Sequence, residues 1–310
     1  MTSVEQYVNA ALRENTKRSY KAALQHYETD WAGLLPATPD MIARYLAAYA
    51  GKLATPTLKH RLSALSQWHQ EYGFVDPTKS QQVRQVMKGI VELHPHREKR
   101  ASPIQLLQLE QLEAFWNSEI AQSSSESSMA RLVRDRALIL IGFWRAFRSD
   151  ELCRLRIENI EVNPDGHGLV FHLARTKTSK LQSSQSPHMC PALKRLCPVR
   201  AYKKWVEIMD QRSGPLFRGI DRWGHIASVP LHTNSIIPLV RSAFTQAGLP
   251  ADAISSHSLR RGFATWANTN GWDVKSLMDY VGWRDMKSAL KYIDQDDPFY
   301  RDKINSALGT

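Results

Sequence analysis

An uncharged apolar run near the middle of the chain sets the strongest limit on its fold. Residues 137–144 read Ala-Leu-Ile-Leu-Ile-Gly-Phe-Trp, inside a segment (131–147) whose pattern favours a helix. A helix that is apolar on every side must lie in the middle of a core. The run is far too short to span a bilayer. We therefore predict a protein packed around one central helix, with no membrane segment.

The segments before and after this helix predict two domains of different character. Residues 1–93 show only helical periodicity, with four main helices, a short one over 4–12, and Thr16 as a candidate N-cap. Residues 94–103 contain two prolines, dense positive charge and no apolar periodicity, which is typical of a linker. The second domain, 104–310, starts with a helix near 107–116 and a serine-rich loop over 122–128.

The second domain also contains the only strand signals that we recognise. A strand over 157–162 leads into the turn Asn-Pro-Asp-Gly at 163–166, a return strand over 169–175 and a polar tip at 176–180. A third strand is expected near 188–190, and helices follow over 198–209, 235–247 and onward to a tail near 308. The predicted fold class is mainly α, with a small antiparallel β-sheet in the second domain.

The charge balance favours a polyanionic partner. Lys plus Arg number 41 against 30 Asp plus Glu, a net charge of +11. Basic side chains that lie mostly off the apolar stripes are candidates for contacts to a DNA backbone, although a solvated face explains them equally well. The candidates are Lys17, Arg18, Lys59, Arg61, Arg84 and Lys88 in the first domain, Arg97, Lys99 and Arg100 in the linker, and Arg241 and Arg261 in the second domain. Arg261 could instead form a salt bridge.

Cysteine usage indicates a reducing compartment. The three cysteines are an odd, sparse set that supplies no disulfide framework. His188, Cys190 and Cys197 lie near one another but lack paired C-x-x-C spacing, so we predict no metal site. Residues 1–10 show no basic segment followed by an apolar one, so we expect no signal peptide.

A set of cationic and aromatic residues in the last third of the chain suggests chemistry on a phosphodiester. His257 and Arg260 are three apart, and Trp283 and Tyr292 follow them. Attack on a phosphodiester needs a nucleophile, neutralisation of the non-bridging oxygens, and a proton for the leaving oxygen. Tyr292 suits the first role, and His257 could take its proton or assist the phosphate. Trp283 offers one N–H donor and an apolar wall.

The earlier part of the chain supplies the missing cations. Arg148 follows the buried helix and, with Arg260, could grip both non-bridging oxygens, because guanidinium forks match phosphate and keep their charge. Glu151 lies one turn further on and could orient Arg148. Lys177, in the polar strand turn, suits proton donation to the leaving group. We see neither a Gly-rich phosphate loop nor a carboxylate cluster for Mg²⁺, so no cofactor is expected.

Several of these assignments have rivals. Arg148 could form a purely structural ion pair, His257 could be a buried core histidine, and Trp283 could serve only packing. Lys180 lies in the same turn as Lys177. Tyr280 and Tyr300 compete with Tyr292, although Tyr280 lies on a core pattern and Tyr300 follows two aspartates.

These residues, in this order, resemble the motif of the tyrosine recombinase (phage integrase) family, and the resemblance covers essentially the whole chain. Within that family the chain resembles the Cre-like members, because Trp283 stands where most others carry histidine. The resemblance implies a two-domain C-shaped clamp, a catalytic domain over 104–310, and a preceding helical core-binding domain. It also implies strand exchange through a 3′-phosphotyrosine and a Holliday junction, by a tetramer on DNA. Ala146 stands where many members have glycine, from which we expect little effect.

The leading hypothesis is therefore a site-specific DNA recombinase that needs neither ATP nor metal, acting on duplex DNA with a specific recombination site. A C-terminal tail helix over 300–308 is expected to dock on a neighbouring protomer. The cytoplasm, in a bacterial, phage or mobile-element context, is the expected location. The alternatives are a type IB topoisomerase-like relaxing enzyme and a catalytically idle DNA-binding protein on the same fold.

Overall fold

A computed structural model describes residues 14–95, 101–173, 187–290 and Tyr292. The chain divides into two compact units, residues 1–99 and 100–310. Both units are rich in helix, and the strands of the described ranges lie in two small antiparallel sheets of the second unit. The predicted fold class is thus confirmed. None of the helices within these ranges is long and apolar enough to cross a membrane.

The first unit, in its described part, consists of helices joined by short turns. Its elements are α1 (Glu14–Gln25), a π-helical turn (His26–Asp30), α2 (Pro39–Tyr49), α3 (Thr55–Glu71), a 3-10 turn (Pro77–Lys79) and α4 (Gln81–Leu93). Thr38 caps α2 by accepting a hydrogen bond from the Met41 N–H, at 3.3 Å. Thr16 lies inside α1, so its predicted capping role is wrong. The predicted helix over 4–12 lies outside the described residues.

The apolar stripes of these helices meet in a core of their own. An aromatic group stands at its centre, where the rings of Tyr27 and Tyr45 pack edge to face at 5.1 Å between centroids. Such pairs contribute about 0.5–1.5 kcal/mol beyond the apolar area they bury. The first unit therefore has a hydrophobic core independent of the second.

Asp76 fixes the passage from α3 to α4. Its carboxylate accepts hydrogen bonds from Ser66 Oγ at 2.6 Å and from the backbone N–H of Thr78 at 3.0 Å. Burial by itself would raise the pKa of Asp76, but the hydrogen bonds from Ser66, Thr78 and Gln70 outweigh it and lower the pKa to about 2.

The second unit is built around the predicted central helix. Its helices are α5 (Leu106–Gln122), α6 (Glu126–Trp144), α7 (Ser149–Cys153), α8 (Pro198–Met209), α9 (Thr233–Gln246), α10 (Ser258–Thr269), α11 (Val274–Val281) and α12 (Met286–Leu290). Every residue of 137–144 is buried, as the apolar run predicts. Gly262 lets α10 approach the chain at Ile104, because a Cβ there would collide with the Ile104 carbonyl oxygen.

The serine-rich loop was predicted too long. Helix α5 continues to Gln122 and α6 already begins at Glu126, which leaves residues 123–125 as the connection. Ser125 Oγ accepts from the Ser128 N–H at 3.4 Å and so caps α6. The serines start a helix here because their short hydroxyl side chains satisfy its first N–H groups.

The three predicted strands form one antiparallel sheet in the order β1 (Ile160–Val162), β2 (Gly168–Phe171), β3 (His188–Pro191). The first strand is shorter than predicted, because Ile157–Asn159 form a 3-10 turn. Leu169 pairs with Val162 and with Cys190. A second hairpin, β4 (Arg218–Ile220) and β5 (Ile226–Pro230), is absent from the sequence prediction. A turn signal, Asp221 followed by Gly224, is present in the sequence, but the flanking strands are too short to show alternation. In the structure Gly224 has φ 99°.

Replacement of Asp76 by alanine should destabilise the first unit by about 1–2 kcal/mol at pH 7, because several hydrogen-bonded donors lose their acceptor. Since the folded pKa is depressed, this stabilisation is present above the unfolded pKa and lost as pH falls towards 2. The free energies of unfolding of Asp76→Ala and of the unchanged full chain, measured with urea at several pH values, should converge at acid pH. The exposed Asp40→Ala is the control, and an equal loss there would contradict the assignment.

Candidate active site

A tight turn after the central helix places Arg148. Helix α6 ends at Trp144, Ala146 takes a left-handed conformation with φ 50°, and Arg148 becomes the N-cap of α7. A left-handed conformation costs a non-glycine residue about 1–2 kcal/mol. The turn directs the Ala146 carbonyl at Arg260, whose Nη1 donates to it at 2.7 Å.

Glu151 joins the two arginines predicted to bind phosphate. Arg148 donates to its carboxylate from Nη1 at 2.7 Å and from its backbone N–H at 2.8 Å. Arg260 Nη1 lies 3.6 Å from the same carboxylate. Burial would raise the pKa of Glu151, but Arg260 and Arg148 outweigh it and hold the pKa below its ordinary value. Glu151 therefore stays ionised and fixes both guanidinium groups.

Helix α10 carries His257 and Arg260. His257 is its N-cap residue and is exposed, whereas Arg260, one turn further on, is only 1% exposed. Burial, reinforced by the charge of Arg148, lowers the pKa of Arg260 to about 10, so it remains a cation at neutral pH. The alternative of a buried core histidine at position 257 does not fit this exposure.

Trp283 and Tyr292 close over Arg260. Gly282, with φ 76°, ends α11 in the left-handed conformation that glycine adopts readily, and Trp283 follows as a buried residue. The Tyr292 ring stacks on the Trp283 ring, with centroids 5.3 Å apart and planes inclined by 23°. The Arg260 guanidinium carbon lies 5.1 Å from the Trp283 ring centroid and 5.6 Å from that of Tyr292.

The Tyr292 hydroxyl oxygen lies 2.9 Å from His257 Nδ1. The structure thus brings together Arg148, Glu151, His257, Arg260, Trp283 and Tyr292. Lys177 and its rival Lys180 lie outside the described residues, as does Tyr300. Tyr280 is part of the core instead, since its hydroxyl donates to the Trp144 carbonyl at 2.8 Å and burial raises its pKa to about 12.

The site holds more donors than acceptors. Within the described ranges, Arg260 Nε, Arg260 Nη2 and Trp283 Nε1 are buried without a hydrogen-bond partner. Buried polar groups are nearly always paired, so unpaired ones ask for a ligand or another explanation. Donors from two residues beside a cation favour an anion with several acceptor oxygens, such as a phosphodiester. The described residues contain no cluster of three or more His, Cys, Asp or Glu suited to a metal ion.

The predicted DNA-contact residues fall into several groups. Lys59, Arg84 and Lys88 line one groove of about 260 Å³ between α3 and α4, together with apolar side chains such as Leu62. Arg18 is exposed. Lys17 Nζ pairs with Glu14 at 3.1 Å.

Other candidates are used within the fold. Arg61 contacts the ring of His26 and donates to the Tyr45 hydroxyl at 3.1 Å. Arg241 donates from Nε to the Ile254 carbonyl at 2.8 Å. Arg261 is only 5% exposed, so it does not lie on a surface that a duplex could cover. Arg97, Lys99 and Arg100 lie outside the described residues.

One buried residue near the site, Arg145, was not identified from the sequence. Arg145 is 2% exposed and donates to the carbonyl of Tyr280 and to the ring of His188. A signal was present, because an arginine directly after a buried apolar run must either emerge to solvent or find internal acceptors. Only the tertiary structure shows which of the two occurs.

Known proteins match this chain over nearly its full length. The family model "Phage integrase family" matches residues 107–298, and "Phage integrase, N-terminal SAM-like domain" matches residues 5–72. An integrase/recombinase xerD homolog from Selenomonas ruminantium is 29% identical, covering 96% of this chain and 92% of the relative. The recombinase cre of Escherichia phage P1 is 23% identical, covering 89% of this chain and 80% of the relative.

Solved structures agree in fold. The Tn1549 transposon integrase, in complex with transposon right end DNA, gives a TM-score of 0.66 at 15% identity, covering 99% of this chain and 98% of that one. A lambda integrase dimer bound to a core site gives 0.59 at 15% identity, covering 94% and 75%. The chain therefore belongs to the phage integrase family, the tyrosine-type enzymes of site-specific DNA recombination.

Replacement of Glu151 by glutamine should destabilise the second unit by about 3 kcal/mol, because two neighbouring cations lose their buried counter-charge. Folding lowers the pKa of Glu151, so the stability difference between the variant and the unchanged protein should be complete above the ordinary pKa of a glutamate. The difference should shrink as pH falls through the pKa of Glu151 in the folded protein. Urea unfolding of the full chain at several pH values tests this.

Asp150→Asn is the matched control. Asp150 is the preceding residue, and its pair with Arg154, at 2.8 Å, is partly exposed. Its loss should change stability by less than about 1 kcal/mol. Equal effects of the two variants would contradict the assignment of Glu151.

Proposed function

We propose that this chain cuts and rejoins duplex DNA with Tyr292 as the nucleophile, through a 3′-phosphotyrosine and a Holliday junction, without ATP or metal. The observation that carries the proposal is the position of the Tyr292 hydroxyl, 2.9 Å from His257 Nδ1, with its ring beside the buried Arg260. A nucleophile within hydrogen-bond reach of a base, next to a fixed cation, is the arrangement that attack on a phosphodiester requires.

In the cleavage step, Tyr292 Oη attacks phosphorus and its proton passes to His257 Nδ1. The new bond joins Oη to phosphorus, and the bond from phosphorus to the 5′ oxygen breaks. Lys177 gives the leaving oxygen its proton, so a 5′-hydroxyl departs. The phosphotyrosine ester conserves the energy of the broken diester, so a 5′-hydroxyl from another strand can reseal it by the reverse steps.

The arginines hold the non-bridging oxygens as charge develops on them. Arg260 has Nε and Nη2 without acceptors among the described residues, and Trp283 Nε1 adds a third donor. Arg148, held by Glu151, supplies the second cation. Such preorganised donors stabilise a developing charge without reorganising during the reaction, and losing one costs about 10²–10³-fold in rate in well-studied acyl-transfer sites.

Double-stranded DNA with a specific recombination site is the proposed partner, and the cytoplasm, in a bacterial, phage or mobile-element context, is the proposed location. The net charge of +11 and the basic groove lined by Lys59, Arg84 and Lys88 support the DNA partner. The solved integrases of this fold that bind transposon-end or core-site DNA add to that support. Arg18 and the linker residues Arg97, Lys99 and Arg100 complete the proposed contacts.

Tyr292→Phe should abolish covalent capture of DNA while leaving DNA binding unchanged, because only the attacking oxygen is removed. The probe is a library of nicked duplexes with randomised arms, from which protein-linked DNA is recovered after denaturation in SDS and sequenced. The unchanged protein should enrich one site and one cleavage position.

Tyr300→Phe is the matched control and should still capture DNA. An adduct with Tyr292→Phe, or its loss with Tyr300→Phe, would overturn the choice of nucleophile. No adduct with the unchanged protein would favour a catalytically idle DNA-binding protein.

We further propose that four protomers assemble on two duplexes, and that the tail after Tyr292 docks on a neighbouring protomer. Deletion of residues 298–310 should then weaken assembly of paired complexes more than binding of one protomer to a half-site. Gel mobility on a half-site and on a full site, both taken from the selected DNA, separates the two effects. Equal loss of both would contradict docking between protomers.

A further inference from the structure

Arg145 is a buried cation whose contacts are unusual for its charge. It is 2% exposed, and within the described ranges no carboxylate forms an ion pair with it. Its guanidinium donates instead to His188 Nδ1 at 2.8 Å, to the Met189 carbonyl at 3.0 Å and to the Tyr280 carbonyl at 2.7 Å. It also lies over the Tyr280 ring, 4.2 Å from the centroid. A buried charge is expensive unless it is satisfied in this way.

These contacts join three segments that carry the proposed active site. Arg145 itself lies three residues before Arg148, in the turn that begins α7. His188 and Met189 belong to β3, which with β2 flanks the stretch of sequence that contains Lys177. Tyr280 lies in the last turn of α11, two residues before Gly282, which ends that helix and precedes Trp283. The Arg145 guanidinium group therefore connects the turn before Arg148 with strand β3 and with the end of α11 that precedes Trp283.

His188 is the least expected partner. An arginine can only donate, so His188 Nδ1 must accept and a neutral ring carries its proton on Nε2. Burial and the neighbouring Arg145 lower the pKa of His188 to about 4, which keeps the ring neutral. The ring lies 5.8 Å from the Phe147 ring and faces Gly282, where a Cβ would stand 3.5 Å from its Cε1. The charged groups that act on it besides Arg145 are Glu151 and Arg260.

Two further donors in this region resemble those of the active site. His188 Nε2 and Arg145 Nε are buried and, within the described ranges, have no acceptor. Arg145 also acts electrostatically on Arg260, whose pKa it helps to lower after burial and Arg148. The network is thus continuous with the cationic site and not a distant part of the core.

We propose that Arg145 and His188 are positioning residues for DNA cleavage, with His188 as the acceptor that orients Arg145 so that Arg148 and Trp283 are held in register. This inference rests on the proposed function. It assigns no contact with the DNA to either residue. Small displacements of groups that hold a reacting phosphate are costly in rate, so the network should affect cleavage more than binding.

The test compares two substitutions of His188. Asparagine places an amide oxygen near the position of Nδ1 and can accept from Arg145, whereas leucine cannot. His188→Leu should lower the single-turnover rate of covalent adduct formation by about 10- to 100-fold. His188→Asn should recover most of that rate. The substrate is the nicked duplex selected with the unchanged protein, and its binding affinity is measured in parallel for each variant.

Met189→Leu is the matched control, since Met189 is the next residue of β3, 62% exposed, and contributes only its carbonyl to Arg145. It should cleave like the unchanged protein. Arg145→Lys keeps the charge but loses the planar fork, and it should be slowed as much as His188→Leu. Thermal unfolding of each variant identifies any that fails to fold. If Arg145→Lys fails to fold, the comparison of His188→Leu with His188→Asn still tests the inference.

Cleavage by His188→Leu at the unchanged rate would overturn the inference. So would equal slowing by His188→Asn and His188→Leu, or a loss of DNA affinity as large as the loss of rate. The proposed function fails separately, if the unchanged protein and Met189→Leu form no adduct or if Tyr292→Phe forms one. Either result would overturn both the proposed function and this inference. Slow cleavage confined to His188→Leu and Arg145→Lys supports both of them.

Discussion

The arrangement of the site depends on the contacts that the buried carboxylate of Glu151 makes with Arg148 and Arg260. Arg148 and Arg260 come from different helices and carry like charges, and Arg260 is almost fully buried. Two cations held near each other in a low-dielectric interior repel strongly unless a counter-charge lies between them. Glu151 supplies that charge and, through its bond to the Arg148 backbone N–H, also begins the short helix α7. One side chain thus stabilises the local fold and sets the distance between the two guanidinium groups that we propose bind the phosphate.

The remaining donors give the site its chemical character. Among the described residues, Arg260, Trp283, Arg145 and His188 all carry buried donors without a partner, and Trp116, Arg136 and Thr265 carry others outside this group. Folding such groups without acceptors is unfavourable, and proteins retain them mainly where a ligand will complete the hydrogen bonds. A phosphodiester brings several acceptor oxygens and a negative charge. Under the proposed function, the stability lost in the free protein would be offset by preorganised binding of the reacting phosphate.

Sequence patterns were reliable where one local rule applied and weaker where several competed. The apolar run of 137–144 and the turn at 163–166 each have a single short-range cause, and both are found in the structure. The serine-rich segment at 122–128 was misjudged because serine favours both loops and helix starts. The β4–β5 hairpin was missed because its strands are too short to show alternation. Arg261 was predicted to form a salt bridge or to contact a DNA backbone, and nothing in its neighbours on the chain reveals its burial.

The sequence by itself determined the two-part organisation, the central buried helix and the residue types of the proposed phosphodiester site, because periodicity, turn chemistry and side-chain charge are local properties. Only the tertiary structure decided which groups meet. It placed Tyr292 against His257 across 35 positions of the chain, and Arg145 against Tyr280 across 135. It also left certain donors without partners. Such pairings depend on how helices and strands pack in three dimensions, and no spacing within one segment encodes them.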